Sequence, residues 1–85
     1  MKAYEIRLTK EAVKDVAKLT PKLKLKLKDM LLRNIALNPY DGKQLVGDLA
    51  GLYSLRLTFK DRIVYSVDEG AHIVFVHRAR THYGA

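Results

Sequence analysis

The sequence predicts an α+β fold with the element order β-α-α-β-β-β, in which a small, mostly antiparallel sheet carries two N-terminal helices packed on one face. Three observations predict this order: alternating apolar residues near the N-terminus, two helix-start signals in the first half, and three strand-like runs in the last third. A chain of 85 residues is long enough for one hydrophobic core and too short for two. We therefore expect a single domain over residues 1–85.

The first half of the chain predicts one strand and two helices. Apolar residues alternate with charged ones over residues 3–8, which is typical of a half-buried strand. Thr9 is a suitable N-cap for a helix over residues 10–19. The pair Thr20-Pro21 combines an N-cap with proline at the first helical position, and it begins a second helix that we expect to end near Leu37, before Asn38-Pro39.

One segment of the second helix also fits a strand. Residues 23–28 alternate leucine with lysine at a period of two, as a strand would. Leucine and lysine are nevertheless strong helix formers, and the apolar stripe continues beyond this segment to Met30 and Leu31. We therefore predict a helix here, followed by an ordered loop over residues 38–51.

The last third predicts three consecutive strands, over residues 52–60, 62–68 and 71–78. A two-residue turn, Lys60-Asp61, joins the first two. The last strand is the most apolar, which favours a position inside the sheet and not at its edge. We expect the helices to cover the apolar face of the first two strands, formed by Leu55, Leu57, Phe59, Ile63, Tyr65 and Val67.

Composition narrows the functional classes. The chain has no cysteine, and its three histidines are scattered, so we expect neither a metal site nor a cofactor. It has no apolar run of the ~20 residues that a membrane span needs and no apolar secretory signal, which predicts a cytoplasmic protein without a membrane partner. The net charge of +7 favours an acidic or polyanionic partner.

The arginines are the strongest candidates for binding such a partner. Arg56 and Arg62 both fall on the polar side of neighbouring strands, so an antiparallel pair would hold them on one face. The rigid fork of donors on arginine matches phosphate geometry. The structural alternative is that these arginines only pair with Asp61 or Asp68, just as the helix lysines can be a solvated surface.

The element order, the run LYSLRLTFKDRIVYSV and the ending HRARTHY resemble the RelE/ParE superfamily of bacterial toxins. The closing pair His82-Tyr83 is most similar to its YoeB-type branch. The resemblance implies a RelE-like microbial RNase fold and the toxin of a type II toxin–antitoxin system, which enters the ribosomal A site and cuts mRNA there without a metal. It also implies an acidic antitoxin as partner and allows for higher-order toxin–antitoxin complexes.

The resemblance assigns roles to individual residues. It makes Arg62 and Arg56 phosphate contacts, His82 the acid/base residue, and Tyr83 a platform for a nucleotide. Further RNA or phosphate contacts are expected at Lys43, Lys60, His77, Arg78 and Arg80, and His77 competes with His82 as the acid/base residue. One position departs from the YoeB-type pattern, because Lys43 stands where that branch has a glutamate as general base.

Two other functions are compatible with the same residues. A ParE-like inhibitor of DNA gyrase has the same fold and needs no acid/base residue, so the histidine–tyrosine ending argues against it. A catalytically inert RNA-binding or antitoxin-titrating relative is compatible with the lysine at position 43.

Overall fold

The computed structural model describes residues 2–80, with side chains as far as Ala79. Two α-helices and five strands form the fold, and a π-helical turn over Leu31–Ile35 extends the second helix. The elements in chain order are β1 (Glu5–Leu8), α1 (Lys10–Ala17), α2 (Pro21–Met30), β2 (Lys43–Gln44), β3 (Leu52–Arg56), β4 (Arg62–Asp68) and β5 (Ile73–Arg80). None of the helices in this part of the chain has the length and apolar character needed to cross a membrane.

The five strands form one sheet in the order β1-β5-β4-β3-β2. The pairs β2–β3, β3–β4 and β4–β5 are antiparallel, whereas β1 lies parallel to β5. The predicted fold class is thereby confirmed, as is the interior position of β5. The sequence interpretation missed β2, a two-residue strand inside the predicted loop, because so short a segment has no detectable alternation.

Both helix starts are confirmed. The Thr9 hydroxyl accepts a hydrogen bond from the Ala12 amide at 3.2 Å, and the Thr20 hydroxyl accepts one from the Leu23 amide at 3.3 Å. The alternating segment of residues 23–28 is helical, as its residue types predict. Regular α-helix ends at Met30, and the π-helical turn continues the chain to Ile35, near the predicted end.

The core lies between the helices and one face of the sheet. Ile63, Tyr65, Val74 and Val76 are fully buried there, and they pack against helical residues that include Leu27 and Leu31. The Tyr65 hydroxyl donates a hydrogen bond of 2.7 Å to the Pro39 carbonyl. Burial raises the pKa of Tyr65 to about 12. The opposite face of the sheet carries the polar residues of β3 and β4, and no helix within residues 2–80 packs on it, so we call it the helix-free face.

The connection between β3 and β4 differs from the predicted two-residue turn. Strand β3 ends at Arg56, and residues 57–61 form a loop in which the amides of Leu57 and Thr58 donate to the Asp61 carbonyl. Leu57 is buried as predicted, but the prediction that Phe59 faces the helices is wrong, because its side chain is 88% exposed. The alternation continues through Phe59 in the sequence although the strand does not.

A polar cluster closes the end of the sheet where β4 turns into β5. The hydroxyls of Tyr4 and Tyr40 both donate to the Glu69 carboxylate, and Tyr4 also stacks on His72 with ring centroids 3.7 Å apart. These two hydrogen bonds lower the pKa of Glu69. The cluster lies at the end of β4 opposite to Arg62.

Candidate nucleic-acid interface

Two rows of paired residues cross the helix-free face of the sheet near the start of β4. In the first row Arg56 of β3 is directly opposite Arg62 of β4, and Arg62 is opposite Arg80 of β5. Directly opposite residues of an antiparallel pair have Cβ atoms about 5 Å apart. The sheet therefore places three arginine positions side by side. We call this set the arginine row.

Arg56 and Arg62 of the arginine row have no acidic partner among the residues that the structure describes. Like charges directly opposite each other are destabilising. Among the residues that the structure describes, no carboxylate forms an ion pair with Arg56 or Arg62, and the Arg62 guanidinium donates only a long hydrogen bond of 3.4 Å to the Ser54 hydroxyl.

The alternative that these arginines pair with neighbouring aspartates is wrong. Asp61 instead accepts the Thr58 hydroxyl at 2.8 Å, and Asp68 accepts the Ala71 amide at 3.0 Å. The arginines therefore keep donors free to contact a ligand.

The second row of paired residues begins with Lys43, which adds a further positive charge to this face. It lies on β2 directly opposite Ser54 of β3, which in turn is opposite Val64 of β4. Its side chain is exposed, as is that of Lys60 in the β3–β4 loop. Short strand β2, which the sequence did not predict, is thus the element that brings Lys43 to the same face as the arginine row.

A β-bulge positions His77. The register passes from the pair Tyr65–Val76 to the pair Val64–Arg78, so that β5 contains one extra residue, His77, at this point. The Nε2 atom of His77 lies 2.8 Å from the Ser66 hydroxyl, and Ser66 follows Arg62 and Val64 on the helix-free face. Bulges are common next to functional sites because they redirect a side chain. Here the bulge brings a titratable imidazole to the face that holds the arginines.

Arg78, unlike Arg56 and Arg62, forms an ion pair with a buried carboxylate. Its guanidinium donates two hydrogen bonds to the carboxylate of Asp15 on α1, from Nε at 2.8 Å and from Nη2 at 3.2 Å. Asp15 is only 8% exposed and also accepts the Ala79 amide at 3.1 Å. This arginine joins the helix to the sheet, and its predicted contact with phosphate stays a prediction.

Three of the predicted site residues lie at or beyond the limit of the described side chains. Arg80 has its backbone position in the arginine row, while His82 and Tyr83 lie outside the described residues. Their roles stay predictions. Within residues 2–80, no cluster of three or more His, Asp or Glu side chains is arranged to hold a metal ion.

The basic residues of the candidate site are predictable from the sequence, but the structural features that position His77 among them are not. Neither the bulge at His77 nor its contact with Ser66 has a sequence signal, since both depend on how β4 and β5 pair. The exposed position of Phe59 does have a sequence signal. Thr58 and Asp61 are turn-forming residues three positions apart, and they mark a loop where alternation alone predicts a strand.

Comparison with known proteins identifies the family. The sequence model of the ParE-like toxins of type II bacterial toxin–antitoxin systems matches residues 6–83, nearly the whole chain. The chain belongs to this family of toxins. Among curated protein sequences, by contrast, no significant match was found.

Solved structures with the same fold include toxins of the RelE type and of the YoeB type. The toxin is similar to a chain in the RelBE2 toxin–antitoxin complex of Mycobacterium tuberculosis, with 27% identity, a TM-score of 0.88, and coverage of 99% of this chain and 97% of that one. It is similar to the YoeB/ParE toxin of Agrobacterium tumefaciens, with 29% identity, a TM-score of 0.82, and coverage of 93% and 99%.

A third match is a chain of the YoeB–YefM complex of Staphylococcus aureus, with 25% identity, a TM-score of 0.77, and coverage of 94% and 98%. These matches support the RelE/YoeB branch of the superfamily.

Substitution of Arg78 and Arg62 by alanine should separate an arginine that stabilises the fold from one that does not. Arg78→Ala removes two charge-assisted hydrogen bonds from the buried Asp15 carboxylate, so we expect the free energy of unfolding to fall by about 3 kcal/mol. Arg62→Ala removes a side chain without an ion pair and should change it by less than about 0.5 kcal/mol. Urea denaturation measures both. An Arg78→Ala variant as stable as the wild type would show that the pair with Asp15 contributes nothing to the fold.

Proposed function

We propose that the toxin is a ribosome-dependent endoribonuclease that cuts mRNA in the ribosomal A site and thereby inhibits translation. The observation that supports this most is the arginine row, in which Arg56 and Arg62 are held opposite each other with no carboxylate of residues 2–79 to neutralise them. A fold gains nothing by placing two such cations together, whereas a phosphate-binding site does.

The arginines would act on the phosphate at the cleavage site. When RNA is cut through its own 2′-hydroxyl, negative charge builds up on the phosphorus-bound oxygens, and guanidinium groups stabilise that charge without a proton transfer of their own. Arg62 is half-buried beside Ser54, so less of its rotamer freedom remains to be lost on binding. Exposed Arg56 and Lys43 would hold the flanking phosphates.

A proton must also leave the 2′-hydroxyl and another must reach the 5′-oxygen. Histidine suits both transfers near neutral pH. We assign this role to His82, with Tyr83 as the nucleotide platform, as the resemblance implies. His77 is the second candidate, because the Ser66 hydroxyl fixes its ring and the bulge places it on the helix-free face. Lys43 stands in place of the glutamate of YoeB-type toxins, so a carboxylate base at that position is not part of this proposal.

Primer extension on a defined message in a reconstituted translation system tests the proposal. The wild-type toxin should cut within the A-site codon, and Arg62→Ala should lower the rate of cutting by about 100-fold or more, the usual effect of losing one transition-state donor. His82→Ala should cause a loss of similar size if His82 transfers the proton. Arg33→Ala is the matched control, since it removes one exposed arginine that pairs with Asp29 one helical turn away.

An intact message in the presence of folded wild-type toxin would refute the nuclease proposal. The alternative is then a ParE-like inhibitor of DNA gyrase without nuclease activity, which the description of the matching family favours. Inhibition of gyrase supercoiling by the same preparation would establish it. Retention of cleavage in His82→Ala, with loss in His77→Ala, would instead transfer the acid/base role to His77.

The partner of the toxin is proposed to be a cognate acidic antitoxin. The RelBE2 and YoeB–YefM structures are complexes of toxins with their antitoxins. In this chain an open groove of about 270 Å³ lies between edge strand β1 and helix α2. Its floor is apolar and two lysines lie on its rim; the lining residues are Ile6, Leu8, Val16, Lys24, Leu27, Lys28, Leu31 and Leu32. An amphipathic segment with acidic residues beside its apolar face would match this groove in both respects.

A charge placed in the groove should weaken antitoxin binding. Leu32 is 52% exposed and lines the groove, so Leu32→Asp should add an acidic repulsion and remove apolar contact without disturbing the core. We expect affinity for the antitoxin to fall about tenfold or more by calorimetry. Val13→Asp on α1 is the control, because Val13 is exposed and does not line the groove. Equal loss in both variants would mean that net charge, and not the groove, determines binding.

A further inference from the structure

Phe59 is the most exposed large apolar side chain among the described residues, with 88% of its surface accessible. It lies in the β3–β4 loop, and neither the fold nor the proposed acid/base chemistry uses it. Burial of an aromatic ring is strongly favourable, so an exposed ring on a fixed backbone gains free energy when a partner covers it.

The backbone that carries Phe59 is held in place by its neighbours. The Thr58 hydroxyl accepts hydrogen bonds from the amides of Lys60 and Asp61, at 3.1 and 3.0 Å, and donates one to the Asp61 carboxylate. Leu57, the residue before Thr58, is buried in the core, and its amide donates to the Asp61 carbonyl at 2.8 Å. Both ends of the short segment are therefore fixed, and the ring of Phe59 is presented without an ordering cost for the loop.

The surroundings of Phe59 are basic. The loop begins directly after Arg56 and ends directly before Arg62, the two opposed members of the arginine row, and Lys60 is the next residue after Phe59. Asp61 is the one acidic residue in this stretch, and its carboxylate accepts the Thr58 hydroxyl. An apolar protein surface would gain little from three cations within three residues of Phe59, whereas a nucleic acid presents a phosphate and a flat base within the same nucleotide.

We infer that Phe59 is a stacking platform for a nucleobase of the RNA whose phosphates the arginine row binds. RNA-binding proteins typically combine a positively charged surface with aromatic rings on which unpaired bases stack. Phe59 has this role only if the toxin acts on RNA, so the inference rests on the proposed function. It adds a residue that positions the RNA, and the ring takes no part in proton transfer.

Four substitutions at one position test this role, with cleavage in programmed ribosomes as the readout. Base stacking requires a ring, so Phe59→Ala and Phe59→Leu should lower kcat/KM about five- to hundredfold, while Phe59→Tyr and Phe59→Trp should stay within about twofold of the wild type. The loss should be mainly a higher KM, because stacking holds the bound RNA before and during the reaction. Val46→Ala, at an 82% exposed apolar residue in the loop that joins β2 to β3, should have no effect.

The outcomes separate this inference from the proposed function. If the wild type cleaves the message and Phe59→Leu cleaves equally well, the platform is refuted while the nuclease stands. If Phe59→Ala cleaves more slowly but Phe59→Leu is as active as Phe59→Tyr, the contact needs only an apolar side chain. The stacking role is then also refuted. A wild type that leaves the message intact refutes both. Because Phe59 lies outside the core, the thermal midpoints of all four variants should match that of the wild type, and any variant that unfolds earlier is compared at a temperature where it is fully folded.

Discussion

The backbone of β5 is the constraint on which the rest of the structure depends. Its first half is flanked by β1 on one side and β4 on the other, and its side chains Val74 and Val76 are fully buried. Strand β1 ends at the pair Leu8–Val76, which would leave the last residues of β5 without a neighbour on that side. Buried amide groups left unpaired are costly, so another donor or acceptor has to replace the missing strand.

Two residues outside the sheet replace it. The Thr9 amide donates to the Val76 carbonyl, and its hydroxyl donates to the His77 carbonyl while also capping α1. Farther along, the Asp15 carboxylate accepts the Ala79 amide and the Arg78 guanidinium. Helix α1 thus completes the edge that β1 leaves open. The bulge at His77 lies in this supported half of β5, and the arginine row reaches it at the pair Arg62–Arg80, so the contacts that complete the fold also hold the backbone of the proposed site.

Much of the fold was predictable from local chemistry. Thr9 and Thr20-Pro21 are helix-start signals that act within one turn, and the apolar runs of β4 and β5 have the right period and length, so these elements follow from neighbouring residues alone. Strand β2, the parallel pairing of β1 and the bulge at His77 were not predictable, because each depends on which strands meet across the sheet. The prediction that Phe59 faces the helices was wrong for a related reason. The apolar alternation continues in the sequence beyond Arg56, where the strand hydrogen bonding ends in the structure.

The site was predictable to the extent that residue type determines its chemistry. Arg56 and Arg62 were correctly placed on one polar face, since strand alternation alone decides that. Whether they pair with aspartates depends on side-chain geometry in the β3–β4 loop. There the Asp61 carboxylate accepts a hydrogen bond from the Thr58 hydroxyl and pairs with neither arginine. Arg78 was grouped with the other arginines by type, but the fold gives it a partner, Asp15, 63 residues away in the chain.

The most direct test of this account is the free energy of unfolding of Arg56→Gln relative to the wild type, measured at low and at high salt. If Arg56 is held opposite Arg62 for a ligand, removing its charge should leave the protein as stable or more stable, by up to about 1 kcal/mol at low salt. That difference should shrink as salt screens the repulsion. A variant that is clearly less stable at both salt concentrations would contradict the account, because it would show that the arginine row supports the fold itself.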